Sequence, residues 1–156
     1  MLLFGCVANS QTIYLSRHAE KINDGTKDPK LTEQGQQRAL NIAKMLSVAD
    51  IERVYATNYH RTQLTAKPLA DYLGVEVISY DPSDLTSFAA KLKNQTGNSW
   101  VVGHSNTTAE LAELLSGKPV FKLTETDFDF LFQVIFTSGS ATLNVLKSLP
   151  SNVLNP

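Results

Sequence analysis

The sequence predicts an α/β fold: a three-layer sandwich in which a mostly parallel central sheet is flanked by helices and carries an antiparallel edge. Two observations carry this expectation. Short β-rich apolar runs alternate with longer segments of helical periodicity through most of the chain. The last two strand-like runs are separated only by a turn, which pairs them as a hairpin and gives the sheet its antiparallel edge. No repeat, low-complexity tract or Pro/Gly/Ser linker divides the 156 residues, so they are read as one domain over 11–150. An apolar arm or signal remnant (1–10) precedes it and a short tail (151–156) follows.

The elements follow in order. Thr12-Ile13-Tyr14-Leu15 reads as a strand, and the polar stretch from Arg17 to Leu31, with Gly25 and Pro29, as a loop. Thr32 is placed to cap a helix running to about Leu46, with Ala39, Ile42, Ala43 and Leu46 on one face. Arg53–Ala56 is the next strand. Arg61–Leu73 is helical and Gly74 suits its end, although Pro68 inside it lacks the donor N–H of a helix interior. Val75–Ile78 is a strand, Asp84–Lys93 a helix capped near Ser83 or Asp84, and Trp100–Val102 a buried strand. Thr107–Leu115 is a helix ended by Gly117. Phe128–Phe136 and Ala141–Lys147 are strands joined through Thr137-Ser138-Gly139-Ser140.

Composition narrows the function. Apolar residues make up 42 % and charged residues 19 %, and the formal net charge is −1. These values exclude wholesale disorder and lack the basic excess of a nucleic-acid footprint. No apolar run is long enough to span a bilayer. One cysteine, Cys6, excludes an intrachain disulfide, and neither H-E-x-x-H nor C-x-x-C spacing occurs. The run Met1–Ala8 is uncharged and apolar, and the first charge is Arg17. It reads equally as the end of an export signal, loosely like a lipoprotein box at Leu3–Cys6, or as an arm leading into the first strand. The first reading expects an exported bacterial protein of the periplasm or envelope, the second a cytoplasmic one.

The chemistry collects at strand ends. In open α/β sheets, ligands bind outside the carboxyl ends of the strands. Arg17-His18 follows the first strand, Arg61 opens the helix after the second, and Gly103-His104-Ser105 follows the Trp100 strand. Two arginines and two histidines brought to one edge suit a dianionic phosphate. Arginine forks bind its oxygens and stay charged. A neutral imidazole can attack phosphorus.

These segments, in this order, resemble the histidine phosphatase superfamily, also called phosphoglycerate-mutase-like. Arg17-His18-Ala19-Glu20 is similar to its Arg-His-Gly-Glu signature, with Ala19 in place of glycine. Asp28-Pro29-Lys30-Leu31-Thr32-Glu33-Gln34-Gly35 resembles its D-x-x-L-T-x-x-G segment. Thr57 with Arg61–Ala66 resembles its S-x-x-x-R-A-x-Q-T-A element, and Val102–Ser105 its second histidine element. The resemblance spans about Ile13 to Leu115. It implies a phosphoric monoester hydrolase that needs no metal or other cofactor. His18 would carry a phosphohistidine intermediate, while Arg17, Arg61 and His104 hold the phosphoryl oxygens. Thr57 and Asn106 are added as further phosphate or substrate contacts, Asn106 also suiting a helix cap.

The general acid is expected from the carboxylate that relatives carry after the corresponding strand. Asp84 is chosen over Asp81, with Glu20 in reserve, although Asp84 also suits a helix cap. Tyr59 is expected at the mouth of the site or in packing, and His60 at its rim or on the surface. The short segments Val48–Ala56 and Val75–Ser99 leave no room for a large lid, which disfavours a mutase. The expected substrate is a phosphorylated small molecule, a sugar phosphate or a phosphoprotein. Two alternatives stay open: a protein phosphohistidine phosphatase, and a non-catalytic phosphate-binding module on the same fold.

Overall fold

The computed structural model describes residues 10–149, so the apolar arm read at the amino terminus and the tail lie outside the described residues. One six-stranded sheet organises the chain, in the order β3-β2-β4-β1-β5-β6. The strands are β1 (Gln11–Arg17), β2 (Ile51–Ala56), β3 (Val77–Ser79), β4 (Asn98–Gly103), β5 (Phe130–Thr137) and β6 (Ser140–Lys147). The first four run parallel, β5 pairs antiparallel with β1, and β6 antiparallel with β5. Four helices connect them: α1 (Glu33–Leu46), α2 (His60–Leu73), α3 (Leu85–Lys93) and α4 (Ser105–Ser116). The predicted layered architecture with an antiparallel edge is therefore the observed one. Among the described residues no helix is long and apolar enough to cross a membrane.

Alternation along the strands builds two cores. Ile13, Leu15, Tyr55 and Val101 face α3 and α4, where they meet Phe88, Leu92, Leu111 and Leu115. The intervening Val54, Ala56, Trp100 and Val102 face α1 and α2 and meet Ile42, Leu46, Ala66 and Leu69. Residues two apart on a strand share a face, so the buried runs split evenly between the helical layers. Trp100 is fully buried and its indole N–H donates to Ser16 Oγ at 3.0 Å, so the ring brings no unmet polar group into the core.

Local chemistry sets the element ends. Thr32 Oγ1 accepts from Gly35 N and caps α1, as its position predicts. Gly74, at φ +69°, ends α2 in the left-handed conformation that glycine adopts most easily. Helix α2 runs unbroken through Pro68, since the ring's fixed φ is helical. Buried Leu69 and Ala70 anchor the turn that follows. Strand β5 starts at Phe130, two residues later than expected, because Phe128 is drawn to the site instead. Strand β3 is Val77–Ser79 rather than Val75–Ile78, since Val75 N still bonds back to Ala70 O at the helix end.

The topology creates one crevice. Strands β1 and β4 are neighbours at the centre of the sheet. From their carboxyl ends the chain leaves toward opposite faces, to α1 and to α4. This is the switch point at which open α/β sheets bind ligands.

Candidate active site

The two histidines meet through the backbone of that central strand pair. Arg17 is in register with Gly103, and His18 N donates to Gly103 O at 2.9 Å. This sets the His18 and His104 rings 5.6 Å apart, edge to face. They line a cavity of about 450 Å³ with Arg17, Arg61, Tyr59 and Glu125.

His18 is buried, and its Nδ1 lies 2.7 Å from Ala19 O. A carbonyl only accepts, so Nδ1 carries the proton and Nε2 keeps its lone pair. Burial, reinforced by the charges of Arg17 and Arg61, pushes the His18 pKa down to about 3, so the ring is neutral at physiological pH.

His104 has the complementary wiring. Thr62 Oγ1 donates to the carbonyls of Thr57 and Tyr59, at 2.8 and 2.9 Å. Its single proton is thereby used, so the Thr57 hydroxyl donates to Thr62 over 2.9 Å. Thr57 Oγ1 must then accept from His104 Nε2, 2.9 Å away. That leaves Nδ1 as the acceptor facing Arg61 Nη2 at 3.4 Å. Burial first, then Arg61 and Arg17, lower the His104 pKa to about 4. Thr57 is fully buried, so it acts on the site through His104 rather than as a direct phosphate contact.

The arginines differ in their supports. Arg61 stacks on the Tyr59 ring at 4.5 Å, and Tyr59 in turn meets His104 edge-on at 5.2 Å. Arg17 is 2 % exposed and packs over Phe128 at 4.3 Å. Its Nη1 donates to Thr124 O at 2.8 Å and to Asp127 O at 3.4 Å, and its Nη2 to Glu125 Oε2 at 3.0 Å. Its Nε is buried with no hydrogen-bond partner. Desolvation lowers the Arg17 pKa and Glu125 opposes the shift, yet a guanidinium stays charged. A buried orphan donor on a cation at a crevice is unusual and fits an anionic ligand. Helix α4 starts at this cavity, so its positive end faces the same space.

The remaining candidates separate. Asn106 is exposed and lines the cavity, and the N-cap position of α4 belongs to His104 rather than to Asn106. Glu20 is turned away: both its oxygens take Arg38 Nε at 2.9 Å, and Oε1 takes Arg38 Nη2 at 2.6 Å. Asp84 caps α3 by accepting from Ser87 N, while its neighbours Pro82 and Ser83 line the cavity. The hydroxyl and N–H of Ser87 hold the Asp84 pKa below its ordinary value, as the N–H and hydroxyl of Ser83 do for Asp81. Both aspartates are exposed and charged, which is unsuited to donating a proton. His60 is mostly exposed, pairs with Asp28 at 2.8 Å and does not line the cavity.

Ala19 is fully buried with Leu31 and Ala39, so the methyl that departs from the motif glycine fills a small apolar cluster. Gly35 has a different warrant. A Cβ there would lie on Glu20 O, so only glycine lets α1 approach the loop after β1 this closely. Sequence reasoning missed Glu125, Thr124, Asp127, Phe128 and Arg38. The first four lie in a stretch between α4 and β5 with no periodic pattern. Among the described residues no group of three or more His, Cys, Asp or Glu gathers as metal ligands.

Residues 13–82 match the family model of the histidine phosphatase superfamily (branch 1). A probable phosphoglycerate mutase GpmB of Enterobacter sp. (strain 638) is 35 % identical over 72 residues. That match covers 42 % of this chain and 34 % of the relative, about a third of its length. Among solved structures, a putative α-ribazole-5′-P phosphatase from Escherichia coli superposes with a TM-score of 0.74 at 18 % identity, over 90 % of this chain and 97 % of that one. The protein histidine phosphatase SixA complexed with tungstate gives 0.66 at 19 % identity, over 87 % and 96 %. The chain has the histidine phosphatase, phosphoglycerate-mutase-like fold, and the matched segment contains Arg17, His18 and Arg61.

Proposed function

We propose that the protein is a phosphatase that hydrolyses phosphate monoesters through a phosphohistidine on His18, without a metal. The observation that carries the reading is the wiring of His18. Nδ1–H is spent on Ala19 O, so the neutral ring offers its Nε2 lone pair to a cavity lined by two arginines.

In the first step Nε2 attacks phosphorus, an N–P bond forms, and the P–O bond to the leaving group breaks with its electron pair. Arg17 and Arg61 hold the equatorial oxygens as charge moves, which is most of what phosphoryl transfer asks of a protein. His104 keeps Arg61 in place and is itself fixed by Thr57. In the second step water attacks the same phosphorus, the N–P bond breaks, and inorganic phosphate and neutral His18 are restored.

A second reading, protein phosphohistidine phosphatase, is favoured by one feature. Among the described residues Glu125 is the one carboxylate lining the cavity, and it is held by Arg17. With Asp81 taken by Ser83 N and Asp84 capping α3, no carboxyl among the described residues is built to protonate an alkoxide. Substrates with a good leaving group, such as phosphohistidine or an aryl phosphate, fit best.

Rapid quenching with labelled p-nitrophenyl phosphate tests the chemistry. Acid-labile, alkali-stable label on His18 is expected, with turnover falling by roughly 10⁴-fold or more in His18→Ala and unchanged by chelator. An unlabelled enzyme with His18→Ala fully active overturns the proposal. A comparison of phosphorylated histidine carrier with alkyl phosphates then separates the two readings.

A further inference from the structure

We infer that Glu125 is an internal competitor for phosphate: its carboxylate occupies the substrate's place on Arg17 and must be displaced before a phosphoryl group can bind. The inference rests on the reading of this cavity as a phosphate site and adds a residue that sets its affinity.

The donors of Arg17 show why. A guanidinium grips an oxyanion in fork geometry with two parallel N–H groups on one edge. Nη1 is committed to the carbonyls of Thr124 and Asp127. The edge left for a ligand is that of Nε and Nη2. Nε is buried and unpartnered, and Nη2 holds Glu125 Oε2 at 3.0 Å. Glu125 therefore takes half of the only free edge. Its other oxygen, Oε1, accepts from Ser105 Oγ at 3.0 Å, at the first residue of α4. One carboxylate thus spans a buried guanidinium and a helix start, two groups that attract the oxygens of a phosphate.

Glu125 is suited to leave. Its side chain is 78 % exposed, against 2 % for that of Arg17. It lies in the irregular stretch between α4 and β5, and displacement moves it into water without opening the core. An ion pair with one exposed partner is weak, so the competition is mild. Phosphate affinity is reduced by the fraction of molecules in which the Arg17 edge is covered. Displacement also works in reverse: as the product loosens, the carboxylate returns and keeps phosphate from rebinding.

The experiment is calorimetric titration of the intact protein with inorganic phosphate, comparing wild type, Glu125→Gln and Glu125→Asp. Glu125→Gln keeps the shape but loses the charge, and tightening by about fivefold is expected. Glu125→Asp keeps the charge but is one methylene too short to reach both Arg17 and Ser105, and an intermediate tightening is expected. If Glu125 merely buttressed Arg17, Glu125→Gln would weaken binding, and that outcome overturns the inference. So does equal affinity in all three proteins, or tightening in Glu125→Gln with wild-type affinity in Glu125→Asp, which would mark a general field effect. Absence of phosphate binding in every protein overturns the phosphate-site reading itself, a result distinct from the others.

Discussion

Arg17 and Arg38 both sit buried against a carboxylate, and the two pairs are built for different ends. Arg38 and Glu20 are sealed together, at 9 % and 13 % side-chain exposure, with Arg38 Nη1 also donating to Ser148 Oγ at 3.0 Å. Arg17 meets a carboxylate that is mostly in water and keeps an orphan Nε. The first pair joins the loop after β1 to α1 and, through Ser148, to the segment that follows β6. The second leaves binding capacity unspent. A satisfied buried ion pair marks architecture, and an unsatisfied buried cation beside a cavity marks function.

The comparison is broken most sharply by replacing each arginine with lysine, which keeps charge and loses the fork. Arg17→Lys is expected to lower kcat/KM by about 10²–10³-fold. Arg38→Lys should leave turnover nearly intact and appear instead as a lower urea midpoint. Comparable losses of turnover in both would erase the distinction.

Truncating the carboxylates inverts the ranking. Glu20→Ala leaves a buried guanidinium unpaired and should cost about 3 kcal/mol of stability. Glu125→Ala removes an exposed partner and should cost under about 0.5 kcal/mol. Urea denaturation of the two variants decides this, and a large loss in Glu125→Ala would make its pair architectural as well.

Acid sharpens the contrast from the imidazole side. His18 and His104 have native pKa values near 3 and 4, below the ordinary value of about 6.5 for an unfolded histidine. Between these limits the unfolded chain binds more protons than the native one. Stability is therefore full above about pH 6.5 and is lost progressively as pH falls toward 4, by at most about 1.4 kcal/mol per pH unit for each ring. His104, being partly exposed, contributes less than that ceiling. Urea midpoints at pH 7 and pH 5 should differ in wild type and differ less in His18→Asn. The same shifts keep the proposed nucleophile neutral, so kcat/KM should show no enzyme-derived acid limb between pH 5 and 7.

The smallest effect is expected at Asp84. As a helix cap its replacement by asparagine, itself a good cap, should cost a few tenths of a kcal/mol. Hydrolysis of p-nitrophenyl phosphate and of an alkyl phosphate should change little and equally. Selective slowing of the alkyl substrate would restore Asp84 as a proton donor.

These contrasts also explain what could be read from residues alone. Arg17 ends β1, His18 and His104 directly follow β1 and β4, and Arg61 lies in the first turn of α2, so alternation and topology alone bring the four to one sheet edge. The caps Thr32 and Asp84 and the stop at Gly74 are local chemistry and were equally visible. The Glu20–Arg38 pair bridges 18 residues and Thr57–His104 bridges 47, distances at which spacing carries no signal. The clamp on Arg17 uses the carbonyls of Thr124 and Asp127, and a backbone acceptor leaves no trace in residue type. Asp84 drew attention because a carboxylate at a helix start looks the same in sequence whether it caps or catalyses.

The hydrogen bond from His18 N to Gly103 O makes the spacing of the two imidazoles a property of sheet register rather than of any loop. Lys21, Pro82, Ser83 and Glu125, which line the cavity from segments beyond β1 and β4, are attached outside that bond. Such a site is modular: His18, His104 and the arginines beside them form a fixed chassis, and the rim is an exchangeable fitting. For engineering, new substrate preference should be sought by grafting or lengthening rim segments, where insertions leave the line of attack unchanged. Substitutions along β1 and β4 would detune the chemistry before they altered selectivity.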